Sequence, residues 1–98
     1  MTAPQQPRIN SSKKFDYRDN YSNSVQIRVN VWDFFLQFGT ISQTVPDAVE
    51  IEYFQGIYLS PQQAKALLNV LQQNVATYEN TFGEIKLDSR ATGPMSVQ

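Results

Sequence analysis

Two residue types that carry much of protein chemistry are missing: the 98-residue chain contains no cysteine and no histidine. Without thiols there are no disulfides, no thiolate metal sites and no cysteine nucleophile. Without imidazole, Ser-His-Asp and Cys-His devices, the usual zinc sites and the common general base near neutral pH are excluded. Charge of either sign is also scarce. The 8 basic and 9 acidic residues leave a formal net charge of −1 and are scattered, which argues against a large electropositive footprint for nucleic acid. No apolar run approaches the ~20 residues of a membrane span, so no membrane association is expected. The opening "MTAPQQPRINSSKK" lacks the apolar segment of a secretory signal, so a cytoplasmic setting is expected. A chain of this length makes one domain, near the lower size at which a single core suffices, and such chains often pair to enlarge it.

Composition divides the chain into three parts. Residues 1–14 are rich in Pro, Gln, Ser and Asn with Ile9 as the one large aliphatic, and are expected to form a disordered arm because they bury too little to offset ordering entropy. Residues 88–98 share that character and are expected to form a disordered tail. A single domain is expected over residues 15–87.

Within it, "SVQIRVNV" alternates, with Val25, Ile27, Val29 and Val31 on one face and Gln26, Arg28 and Asn30 on the other, as a half-buried strand does. In "WDFFLQFG" the parity shifts to Trp32, Phe34, Leu36 and Phe38. A hairpin turn or bulge between Asn30 and Asp33 absorbs the slip. "TISQTVPDAV" reads as a loop because of its polar residues, Pro46 and Asp47. "VEIEYFQGIYLS" alternates again, with Val49, Ile51, Tyr53, Ile57 and Leu59 opposed to Glu50, Glu52 and Tyr58; Gly56 marks a bulge or a close approach.

A long helix comes next. Ser60 suits the N-cap, Pro61 the first helical position, Gln63 the third residue of a capping box, and Gly83 the residue after the end. Ala64, Leu68, Leu71, Val75, Tyr78 and Phe82 step by four and three, and Leu67 and Val70 widen the stripe into a face that needs cover. Ile85 and Leu87 in "EIKL" suggest a short final edge strand. The expected fold is therefore α+β, a three- to four-stranded antiparallel sheet followed by one long amphipathic helix packed on one face. Phe34, Leu36 and Phe38 are expected to meet the helix, while Phe35, Phe54 and Tyr58 are candidates for a second sheet face that seeks a partner.

Candidate chemistry is sparse. Glu50 and Glu52, with Asp47 upstream, could bind a hard cation or do acid–base work, but an exposed strand face also requires such alternation, and that reading is preferred. Lys65 opposes the helix dipole near the N-terminus, which fits either anion binding or a stem covering apolar surface. Asn74 at the edge of the stripe either sets register in a helix pair or is a surface amide. "KKFDYRDNY" interleaves Lys13, Lys14 and Arg18 with Phe15, Tyr17 and Tyr21, as single-stranded nucleic-acid binders do, although Asp16 and Asp19 dilute the charge. No catalytic residue, metal site or cofactor is expected, and no enzymatic activity.

Several elements at fixed spacing carry a family resemblance: "YSNSVQI", "DFFLQFG" and "LSPQQAKALLNVLQQNVATYENTFGEI". Over residues 21–87 the chain resembles the prokaryotic domain-of-unknown-function family numbered 3467, above all in Ser-Pro-x-x-Ala-Lys and Tyr-Glu-x-x-Phe-Gly. The resemblance implies a small bacterial or archaeal protein and no catalytic residue. "VEIEYFQGIYLS" ahead of a helix is also similar to the fourth-strand region of the Sec-pathway export chaperones, which are antiparallel sheets with long helices that assemble as dimers of dimers. The expected function is a small interaction module, homodimeric through the helix stripe or the second sheet face. A holdase-like chaperone for extended polypeptides and a weak nucleic-acid binder are the alternatives.

Overall fold

The β-branched and aromatic runs of the middle third form a meander. The computed structural model describes residues 6–87, in the order β1 (Ser24–Val29), β2 (Phe34–Val45), β3 (Ala48–Leu59) and α1 (Pro61–Phe82). Three antiparallel strands in the order β1-β2-β3 and one helix make an α+β arrangement. The tail at 88–98 and the first five residues of the expected arm lie outside the described residues. Residues 6–23 form neither helix nor strand, and carry a turn closed by the Tyr17 N–H donating to the Lys14 carbonyl.

The first hairpin turns where the parity shift required it. Asn30 Oδ1 accepts from the backbone N–H of Trp32 (2.8 Å) and of Asp33 (3.0 Å), and the Asn30 N–H donates to the Asp33 carbonyl (3.0 Å). An Asn side chain standing in for a backbone carbonyl is what favours this residue in a turn. Val31 and Trp32 thus sit on an exposed turn, and the apolar face of β1 ends at Val29. At the other hairpin the expected loop over residues 40–49 is corrected. Only Pro46 and Asp47 turn, because Thr40, Ile41 and Val45 are β-branched and favour strand, and β2 runs to twelve residues.

The register fixes the faces. Phe34, Leu36 and Phe38 lie opposite Val29, Ile27 and Val25 on one side and opposite Leu59, Ile57 and Gln55 on the other. Phe38 pairs with Gln55, but Gly39 pairs with Tyr53, so Phe54 is the extra residue of a bulge. Side chains on the two sides of a bulge alternate out of phase, so equal parity no longer means the same face. The grouping of Val49, Ile51 and Tyr53 with Ile57 and Leu59 is therefore corrected: the first three share the face of Phe35 and Tyr58.

Two glycines serve this geometry. A Cβ on Gly56 would stand 2.7 Å from Cε1 and Cζ of Phe35, so the ring occupies the space that a side chain would take. Gly83 ends the helix at φ 107°, a conformation that residues with a Cβ rarely adopt, and its N–H donates to the Glu79 carbonyl (2.9 Å).

Helix α1 starts and stops at the expected residues. Ser60 is extended (φ −64°, ψ 155°), its Oγ accepts from the Gln63 N–H at 3.1 Å, and Pro61 opens the first turn. The Gln63 half of the capping box is not made among the described hydrogen bonds, so the cap is one-sided. The expected fourth strand is also corrected. Residues 83–87 form no strand, because the Ile85 N–H donates to the Glu79 carboxylate (2.9 Å) and the chain closes over the helix end.

Candidate interaction surface

Only one large apolar side chain among the described residues is buried in the single chain: Leu36, at 7% exposure. Helix α1 holds no buried residue. Its first half lines a groove against the sheet, and Val75, Tyr78 and Phe82 of its second half are not part of that lining.

Between the first half of α1 and the sheet runs an open groove of about 520 Å³. Ile27, Phe34, Leu36 and Leu59 form its floor; Ala64, Leu67, Leu68 and Leu71 form its helical wall, with Pro61 and Lys65 at the mouth. Of the stripe, the structure thus brings Ala64, Leu67, Leu68 and Leu71 together over one sheet face. Val75, Tyr78 and Phe82 overhang; Tyr78 is 50% exposed and Phe82 is 73% exposed, with ring centroids 4.9 Å apart.

Phe34 and Leu36 face the helix across the groove. Phe38 does not: with Phe54, Gln55 and Ile57 it lines a second hollow, of about 640 Å³, whose opposite side is the segment between Ser12 and Ser22 that precedes β1. The expected meeting of Phe38 with the helix is therefore corrected, and the segment ahead of β1 takes that place.

The candidate second sheet face is split in the same way. Phe35 and Tyr58 stack with centroids 4.5 Å apart and rings inclined at 35°, and the Arg28 guanidinium lies over Phe35 at 4.9 Å. Phe54 is not with them, because the bulge puts it beside Phe38 on the other face. Neighbours two apart in an unbroken strand would have kept Phe54 with Tyr58; the extra residue is what parts them.

Polar candidates are mostly engaged locally. Asn74 Nδ2 donates to the Val70 carbonyl (2.8 Å), one turn back on its own helix. Glu50 and Glu52 are exposed, and among the described residues no three acidic groups converge as a metal site would require. Lys13 lies over the Tyr17 ring at 4.7 Å. The Tyr17 hydroxyl donates to the Asp19 carboxylate, and this bond, with a smaller contribution from desolvation, raises the phenol above its ordinary value of 10.0.

Two residues emerge that parity arguments passed over. Asn23 lies just before β1, and its Oδ1 accepts from the Ile41 N–H (2.8 Å), while its own N–H donates to the Gly39 carbonyl (3.2 Å). Ser22 Oγ lies 2.8 Å from the same carbonyl as a donor and 2.9 Å from that of Ser24. Together they tie the segment ahead of β1 to β2 where β3 bulges. The "YSNS" stretch, polar and next to a strand, was the signal in the sequence.

Comparison with known proteins places these features in a family. The family model for DUF3467, described as a protein of unknown function, matches residues 1–87. The chain belongs to the DUF3467 family. The match begins ahead of the stretch at 21–87 and so takes in the segment that flanks Phe38. No curated protein and no solved structure matches the chain. Among the described residues of this DUF3467 chain, no helix is long and apolar enough to cross a membrane.

Proposed function

We propose that this DUF3467 protein is a small cytoplasmic interaction module that completes its hydrophobic core by association, in the first place with a second copy of itself. One observation carries the reading: among the described residues Leu36 is the one large apolar side chain that is buried, while Leu68, Leu71, Val75, Tyr78 and Phe82 stay 40% or more exposed along one helix. A solvent-facing helix gains nothing from such a stripe, and most helical stability in proteins comes from burying it. Monomeric proteins rarely expose apolar patches beyond a few hundred Å². The absence of cysteine fits a reducing compartment, and fractionation of cells tests that part.

Sedimentation equilibrium over a hundredfold range of concentration tests the association. A dimer that dissociates on dilution, with loss of helical circular dichroism, supports it; a stable monomer at high concentration refutes it.

A holdase-like chaperone is the second reading. The groove is open, its lining is nearly all carbon, and β1 and β3 each leave one edge unpaired within this sheet. An extended polypeptide can use such an edge for its backbone and such a groove for its side chains. Suppression of aggregation of unrelated unfolded proteins at stoichiometric amounts supports this reading, and its absence favours the self-associating module.

A further inference from the structure

From the pattern of the stripe and of the helix charges we infer that two copies pair their α1 helices antiparallel, each inserting its overhanging Tyr78 and Phe82 into the other's groove. The inference rests on the self-association proposed above and specifies its geometry.

The stripe alternates steps of four and three from Ala64 to Phe82, the spacing of a two-helix seam. Its midpoint falls at Gln73. A two-fold axis at that level sets Phe82 against the partner's Ala64, Tyr78 against the partner's Leu68, and Val75 against the partner's Leu71. Ala64, Leu68 and Leu71 are groove-wall residues, and Val75, Tyr78 and Phe82 are the residues that overhang. The largest side chain thus meets the smallest. A parallel in-register pair would set Phe82 on Phe82 and Ala64 on Ala64, crowding one end and leaving a gap at the other.

Charge points the same way. Lys65 and Glu79 are the two charged residues of α1, and each stands at the wrong end for its own helix dipole. Antiparallel pairing brings Lys65 alongside the partner's Glu79, within about 3 Å of axial rise, and beside the partner's negative helix end. Both residues lie on the same flank of the seam, so one symmetric interface makes the pair twice.

The area is sufficient. The exposed parts of Leu68, Leu71, Val75, Tyr78 and Phe82 amount to roughly 500 Å² at ~150–200 Å² per large side chain. The groove floor brings this toward the ~800 Å² per partner of a standard interface.

The cysteine-free chain allows a direct test: nitroxide labels on single cysteines at Gln62, Gln73 and Asn80, all exposed polar positions. Antiparallel helices give axial label separations of about 33 Å at 62, about 21 Å at 80 and near zero at 73, read by pulsed dipolar spectroscopy. In addition, Lys65→Glu is expected to weaken the dimer about fivefold or more at low salt, with Lys65→Glu/Glu79→Lys restoring it. Equal distances at all three sites, or a dimer indifferent to Lys65→Glu, overturn the antiparallel pairing and leave self-association standing. No dipolar coupling and a monomeric mass overturn both.

Discussion

Phe82→Ala separates an associating helix from a solitary one. In the single chain Phe82 is 73% exposed, so about 150 Å² of its ring remains open at roughly 200 Å² per aromatic side chain. Closing that area against a partner is worth about 3.5 kcal/mol per copy at ~25 cal/mol per Å², or about 7 kcal/mol for a symmetric dimer. Alanine keeps part of the contact, and closure is incomplete, so about half of that is a working figure. The dissociation constant should then rise several hundredfold, since 1.4 kcal/mol is a factor of ten. For a monomer the same change removes a solvent-facing ring and its contact with Tyr78, one turn away, and costs no more than about 0.5 kcal/mol. Sedimentation equilibrium gives the constant, and urea unfolding at two concentrations gives the linked stability, which for the parent should fall by about 2.7 kcal/mol on hundredfold dilution. A dimer of unchanged affinity in Phe82→Ala would show that this end of the stripe is not in the interface.

Gly56→Ala must displace the Phe35 ring from 2.7 Å, and the ring is held between Arg28 and Tyr58, so a loss of about 1–3 kcal/mol is expected in urea unfolding. Ser60→Ala removes the acceptor of the Gln63 N–H and should cost about 1 kcal/mol, with fraying of the first turn visible by hydrogen exchange at Gln63. Asn23→Ala leaves the Ile41 N–H without its side-chain partner; about 1 kcal/mol of stability should go, and exchange at Ile41 should quicken. Tyr17, whose pKa is raised by Asp19, keeps its bond in full below the ordinary phenol value and loses it as pH rises through the folded value. The ultraviolet difference between the parent and Tyr17→Phe should trace that titration above pH 10.0, and Asp19→Asn should bring it down.

Parity and punctuation were enough for the helix, for β1 and for the first turn. Ser60 and Pro61 open the helix and Gly83 stops it, the alternation of residues 25–29 is β1, and Asn30 turns the chain because its side chain reaches two backbone N–H groups. These are short-range effects, settled within four or five residues, and a sequence displays them directly. The β2–β3 hairpin was harder. A polar run leading into Pro46 and Asp47 looks like a loop, yet with β-branched Thr40, Ile41 and Val45 in it the run continues as strand to Val45.

The contents of each face were decided by tertiary structure. One extra residue, Phe54, reverses the side on which Ile51 and Tyr53 stand, and no local signal distinguishes a bulge from an unbroken strand across an antiparallel pair. The same applies to the helix. Its stripe was plain in the spacing, but that the first half walls a groove while Tyr78 and Phe82 overhang is a consequence of the length of α1, 22 residues, against the sheet beside it. Periodicity tells which side chains need cover; only the placement of the other elements tells which of them this chain covers by itself.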